Sequence, residues 1–270
     1  MVAVSPLLMP LFYRKYTKFM MEKTVDQTLL DRRSIRRYER EPIDNDDLDF
    51  IRRAIQNTPT SYNGQQFSVI EVDDRELKQQ LAEVIGQKQV KTSSVMFFFL
   101  ADYNKMAVAA KAKGVEMSDF GSTADGLIVG TVDASLAMMS AIVAAESCGL
   151  GTCPIGYART VDMHRISEML HLPPLTFVVC GLAVGVPREM PDLKPKQSLD
   201  TVIFHNRYST DGLADRLLDY DREISQYNLT RAGGTSDNDW VTHILGYYRE
   251  GMKYHLLDSL RDRGFMCAEK

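Results

Sequence analysis

One tryptophan, four cysteines and five histidines are all that 270 residues hold of three residue types that often mark chemistry. Cys148, Cys153, Cys180 and Cys267 form no C-x-x-C pair and have no neighbouring histidine, which excludes the spacing of a zinc site or a disulfide framework. Thiols so placed point to a reduced, cytoplasmic protein. His164 and His171 stand seven apart with no carboxylate or cysteine at ligand spacing, so no metal site is expected. The signatures G-x-G-x-x-G, G-x-x-x-x-G-K-[ST], G-x-S-x-G and H-E-x-x-H are all missing. A broad basic surface is missing too. The 32 Lys and Arg against 36 Asp and Glu leave a net charge of -4, which argues against nucleic-acid partners. No later apolar run reaches bilayer length, because "ASLAMMSAIVAA" (134–145) is closed off by Asp133 and Glu146, so no membrane partner is expected. In residues 1–20 the apolar run precedes the basic residues and two prolines interrupt it, the reverse of a secretory signal. That stretch reads as a loose or partner-docking extension ahead of one domain spanning 21–270.

What is present is an ordinary globular composition, 44% hydrophobic and 25% charged, with ample material for a core. Periodicity predicts helices over 25–33, 43–59 (N-capped by Asp44, with Leu48, Ile51, Ala54 and Ile55 on one face), 76–87, 123–148 and 158–170. The 123–148 helix is apolar around most of its girth, which suits the middle of a molecule or an interface. Strands are predicted at 67–74, 95–102, 149–157 and 176–187, and the unbroken "VMFFFLAD" belongs in the centre of a sheet. Two late helices, one from 211 and one from Trp240, flank the Gly-rich "TRAGGTSDND" and form a helical excursion at about 211–264.

Against the negative total, "DRRSIRRYEREPI" (31–43) concentrates Arg32, Arg33, Arg36 and Arg37 around Ser34. Guanidinium forks and a hydroxyl suit a phosphate, and a helix end complementing its own dipole explains the same residues. In "TPTSYNGQQF" (58–67), Ser61, Asn63 and Gln65 alternate before a strand and, if extended, point the same way. They suit a polar heteroaromatic ligand, or simply a polar loop. "LKPK" sets Lys194 and Lys196 about a stiff proline. With no acid–base machinery in sight, an anionic heteroaromatic ligand implies chemistry carried by a cofactor.

Taken in order, these stretches resemble the nitroreductase superfamily, in its oxygen-insensitive NADPH nitroreductase and flavin reductase branch. The resemblance rests on R-S-I-R at 33–36, the Ser/Asn/Gln segment at 61–65, "GLGTCPIG" at 149–156, "GLAVGVP" at 181–187 running into "LKPK", and "YNLTR" at 227–231 followed by Trp240. It covers roughly residue 22 to the end. It implies an α+β nitroreductase-like fold, with a central mixed (mainly antiparallel) sheet flanked by helices. It also implies an FMN-binding homodimer with the flavin at the subunit interface. On that resemblance Arg32, Arg33, Ser34, Arg36, Lys194 and Lys196 would serve the phosphate end and flavin O2. Ser61, Asn63 and Gln65 would serve the ring edge or ribityl chain, and Pro154, Ile155 and Gly156 would lie beside the flavin N5. Arg231 would meet the nicotinamide nucleotide. The implied activity is a ping-pong, two-electron reduction of small aromatic acceptors (nitroaromatics, quinones or free flavins) by NADPH or NADH. A non-catalytic flavin-binding or redox-sensing protein, or a specialised activity such as reductive dehalogenation, are the alternatives.

Two departures from the family pattern stand out. Lys196 replaces a planar arginine fork. After Arg231, where relatives carry more arginines, this chain has Ser236, Asp237 and Asp239. That anionic loop predicts a weakened preference for NADPH over NADH.

Overall fold

The computed structural model describes residues 23–232 and 234–268; the N-terminal extension read from the sequence lies outside them. Four strands form one sheet: β1 (Phe67–Val72), β2 (Val95–Asp102), β3 (Gly151–Ile155) and β4 (Thr176–Gly185). Their order is β1-β2-β4-β3 and every neighbouring pair is antiparallel. Among the described residues the single parallel element is a bridge from Ser34 to Thr152 of β3. β2 and β4 are buried along their whole length because both faces are covered. Phe97, Phe99 and Ala101 enter one apolar cluster, and Met96, Phe98 and Leu100 enter the other. This is why the β2 sequence is apolar without alternation.

Helices α1 (Val25–Leu30), α2 (Asn45–Gln56), α3 (Arg75–Ile85), α4 (Lys88–Thr92), α5 (Asn104–Lys113) and α6 (Ala124–Ser147) come first. Then follow α7 (Met163–Met169), α8 (Leu199–Val202), α9 (Leu213–Thr230), α10 (Trp240–Gly251) and α11 (Leu256–Asp262). One face of the sheet is covered by Ile51 and Ile55 of α2 and the alanines Ala134, Ala137 and Ala141 of α6. The other face is covered by Leu81 and Ile85 of α3, Val90 of α4 and Ile166 of α7. Small residues let α6 lie close on the strands. Its far side is different: Ile128, Val132, Leu136 and Met139 form an exposed stripe at helical spacing. By length and hydropathy α6 would also qualify to cross a membrane, which the twelve-residue count from the sequence did not anticipate. Its alanine face on the sheet and its buried Asp133 and Glu146 give it a place in the core instead.

Several expectations change. α1 stops at Leu30, so no basic residue lies in its last turn and the dipole explanation of the arginines falls away. The chain leaves the helix there because the arginine segment pairs with β3. The 158–170 stretch is a 3-10 turn (Gly156–Arg159) and a shorter α7, which Asp162 caps by accepting from Arg165 N at 2.9 Å. A third late helix, α11, was not foreseen. It docks back on the core through Leu260, and just past its end the ring of Phe265 is centred 4.9 Å from that of Phe177.

Glu146 is buried beneath this framework and accepts from the Thr152 hydroxyl at 2.6 Å. Burial holds its carboxyl above the ordinary value, while the hydrogen bond from Thr152 and the charges of Arg32, Lys23 and Arg33 pull it down. The folded chain therefore keeps this proton at pH values where the unfolded chain has lost it. Stability from this group falls as pH rises from about the ordinary 4.5 through the raised value. Glu146→Gln removes that fall. Urea unfolding across the acid-to-neutral range should show a flatter profile for the variant, lying above wild type at neutral pH. Parallel profiles would place the titration elsewhere.

Candidate functional site

The arginine segment is seated by backbone pairing. Ile35 N donates to Thr152 O at 2.8 Å, Glu39 N to Val186 O at 2.9 Å, and Arg188 N to Arg37 O at 3.0 Å. Ile35 itself is buried against Gly151, where a Cβ would stand 2.9 Å from its side chain, so glycine is required for the approach. With Ile35 inward, Arg36 and Arg37 are outward and exposed. Glu189 orients this turn, its Oε1 accepting from Arg36 N at 2.8 Å and Arg37 N at 3.1 Å. Arg32 is half-buried, and its charge reaches Glu146 and the buried Cys153. Arg33 is a clamp, its Nη1 donating to Pro191 O at 2.9 Å.

The clamp draws in the loop that carries Lys194 and Lys196, and further bonds bring the Arg231 region to the same place. Asp192 accepts from Ala232 N at 2.8 Å, and Tyr220 donates to Pro195 O at 3.3 Å. Arg231 in turn donates from Nε to Gly234 O at 2.8 Å. The result is visible at Lys194. Although Lys194 is exposed, partial desolvation and then the charges of Arg231, Lys196 and Arg36 hold its ammonium below the ordinary value. Residues spread from 36 to 231 thus converge on one cationic patch. Beside it, Pro154 is half-buried and Gly156 exposed, whereas the Ile155 side chain belongs to the core. Only the backbone of Ile155 is available to a ligand there.

The polar segment is not extended, which corrects the alternation argument. Ser61–Asn63 form a tight 3-10 turn, and Tyr62, Asn63 and Gln65 all take left-handed φ values of 52–58°. The cause is Asp133 of α6, which is fully buried. Its two carboxylate oxygens accept from Ser61 N at 3.0 Å and Gln66 N at 3.2 Å, closing the loop on a single charge. At Gly64 a Cβ would meet the Gln66 side-chain amide at 2.3 Å, so a larger residue there would require that side chain to move. Asn63 and Gln65 are left exposed and Ser61 half-buried. Left-handed non-glycine residues cost about 1–3 kcal/mol each and gather at functional sites.

These two halves lie far apart within one chain. The polar turn enters β1 at Phe67, level with Phe177 at the start of β4. The arginine segment meets β3 by Gly151, level with Gly185 at the end of β4 and on the opposite outer strand. Their supports on α6, Asp133 and Glu146, are about 20 Å apart along the helix. Sequence reasoning missed Asp133, Glu189 and Asp192 as organisers. An acid inside an otherwise apolar helix was the available signal, and it applied to Asp133 and Glu146 alike.

The nitroreductase family model matches residues 29–186, and the model for that family's C-terminal domain matches residues 194–268. The chain belongs to the nitroreductase family. Among its relatives, an FMN reductase [NAD(P)H] of Bacillus subtilis is 35% identical over 243 residues, 89% of this chain and 97% of the relative. A Cr(VI) reductase of Pseudomonas sp. is 31% identical, covering 89% of this chain and 98% of the relative. Among solved structures, Bacillus megaterium NfrA2 superposes with a TM-score of 0.86 at 32% identity, over 91% of this chain and 99% of that one. This family member keeps its polar turn by one buried carboxylate. Asp133→Ala should cost about 2–3 kcal/mol by orphaning two partly buried N–H groups. Asp133→Asn, which keeps one acceptor, should cost less. Urea denaturation of both variants checks the order, and equal losses would contradict it.

Proposed function

We propose that the chain is an FMN-dependent NAD(P)H oxidoreductase acting on small aromatic acceptors (nitroaromatics, quinones or free flavins), with its flavin site completed by a second copy. Family membership and the relatives named as FMN reductases support the reductase activity. The observation that carries the reading for this chain is the convergence on Lys194. The neighbouring charges acting most strongly on it are all cationic, those of Arg231, Lys196 and Arg36. Like charges held together in this way make a seat for an anion, and the FMN phosphate fits it.

Arg36 and Lys194 would hold the phosphate end, with Arg32 and Lys196 adding charge and Arg33 tying the two segments together. Asn63 and Gln65, exposed on a strained and therefore preorganised turn, suit the ribityl chain or ring edge. When bound, FMN supplies the two-electron chemistry that links a nicotinamide donor to an acceptor. The residues contribute position and positive charge. Homodimer assembly is supported by the exposed stripe of α6 and by Val25, Leu29 and Leu30 on α1, apolar surface that a partner would cover. We place the protein in the cytoplasm on the spacing of its four cysteines, which fits no disulfide framework.

The acidic loop bears on the donor. Asp239 spends its charge capping α10, accepting from Thr242 N at 2.6 Å, while Asp237 is exposed near Arg231 in sequence. A bare carboxylate there disfavours an extra phosphate, so NADH should work within about tenfold of NADPH. Anaerobic stopped-flow on FMN-loaded protein tests both parts. Each nucleotide should bleach the flavin, acceptors should restore its colour, and Arg36→Ala and Lys194→Ala should each weaken FMN binding about tenfold or more. A yellow protein that neither nucleotide bleaches would refute the activity, and one that stays colourless with FMN would refute the site.

A further inference from the structure

A second cationic feature lies beyond Arg36, away from Lys194. An open groove of about 1570 Å³ runs between the 36–42 segment on one side and α3 and α4 on the other. Five arginines and three lysines line it against four carboxylates, in a chain whose total charge is -4. Among the described residues no ion pair engages Arg40, Arg75, Lys88 or Lys91.

The groove is built, not a chance gathering of mobile side chains. Lys78, one of its lining residues, is only 5% exposed. Its Nζ donates to Ser93 O at 2.7 Å and Ser94 O at 2.8 Å, which commits two of its three N–H groups. No carboxylate pairs with it among the described residues, although Asp73 and Asp74 act on it at longer range. A buried ammonium without a paired carboxylate is costly, and the two carbonyls offset only part of that cost. The opposite wall is fixed as well, because Ser94 Oγ donates to Glu41 O at 2.8 Å and Tyr38 is anchored by its hydroxyl to Ile35 O at 2.6 Å.

We propose that this groove is a second anion site, distinct from the flavin seat, that takes a linear oligophosphate. Two features select that chemistry. The volume is far larger than one phosphate fills, and cations spaced along it call for several linked charges. Its lining residues are mostly charged or polar, with Tyr38 and Pro42 the principal apolar ones, and the long side-chain stems contribute much of the remaining surface. The site is independent of the flavin reading, except that Arg36 borders both.

Calorimetric titration of sodium tripolyphosphate into full-length protein, with excess FMN present to fill the flavin seat, tests the proposal. One saturable site per chain is expected, weakening steeply with added KCl. The combined variant Arg75→Gln, Lys88→Gln and Lys91→Gln should lose about tenfold or more in affinity while flavin binding and turnover stay unchanged. Lys78→Met, a buried substitution checked by its melting temperature, should show a comparable loss. A parallel titration with ATP separates the sources: tighter binding than tripolyphosphate assigns the site to a nucleotide, and equal binding to the phosphate chain alone. Absence of saturable binding, or wild-type affinity in both the triple variant and Lys78→Met, overturns the proposal. Tighter binding of a poly-glutamate peptide than of tripolyphosphate would also overturn it, in favour of an acidic protein partner.

Discussion

The hydrogen bond from Ile35 N to Thr152 O sets the geometry on which the cationic site depends. It fixes the arginine segment as an extended rider on the outer strand β3, with Ile35 turned into the core and Arg36 turned out. Once Arg36 has that position, Glu189 can organise the turn from behind, and Arg33 can reach across to the 190s loop. That loop in turn holds Lys194 and, through Asp192, the Arg231 region. A chain with an overall negative charge thereby acquires a local positive field. None of the contributing residues is unusual by itself; their convergence comes from three segments tied together by hydrogen bonds to backbone groups.

Helix α6 supports both halves of the proposed flavin site. Near its middle, Asp133 closes the polar turn, and near its end Glu146 supports Thr152, the acceptor of the Ile35 bond. One face packs on the sheet through alanines, while the opposite face presents an apolar stripe. A helix with both sides apolar has two surfaces to bury. The distance between its two supports explains why one chain holds a cationic corner and a polar corner that do not meet. In the reading proposed here, pairing two copies over that stripe brings the corner of one to the corner of the other.

The strands were legible because β2 and β4 are covered on both faces, which leaves an apolar run with little ambiguity. The helix over 43–59 was legible from its Asp44 cap and apolar face, and it formed as Asn45–Gln56. The arginine segment misled at its start, since helical spacing at Val25, Leu29 and Leu30 carries no information on where a strand edge will capture the chain. The polar turn misled through the opposite error: alternation reads as extended backbone unless a distant acid is known to close the loop. Asp133 stands 72 residues from Ser61, and no local rule connects them. α11 escaped notice because it is short and takes its stability from docking on the core.

The most direct test of a flavin site shared between copies is a mixed pair carrying two different tags. One partner bears Arg36→Ala, and the other bears Asn63→Ala with Gln65→Ala. If each site draws its cations from one copy and its polar turn from the other, each variant alone binds FMN poorly, yet the purified mixed pair has one intact site. It should then hold about half the flavin of wild type, as a two-fold interface requires. A mixed pair as empty as its two parents would show that both halves act within a single chain.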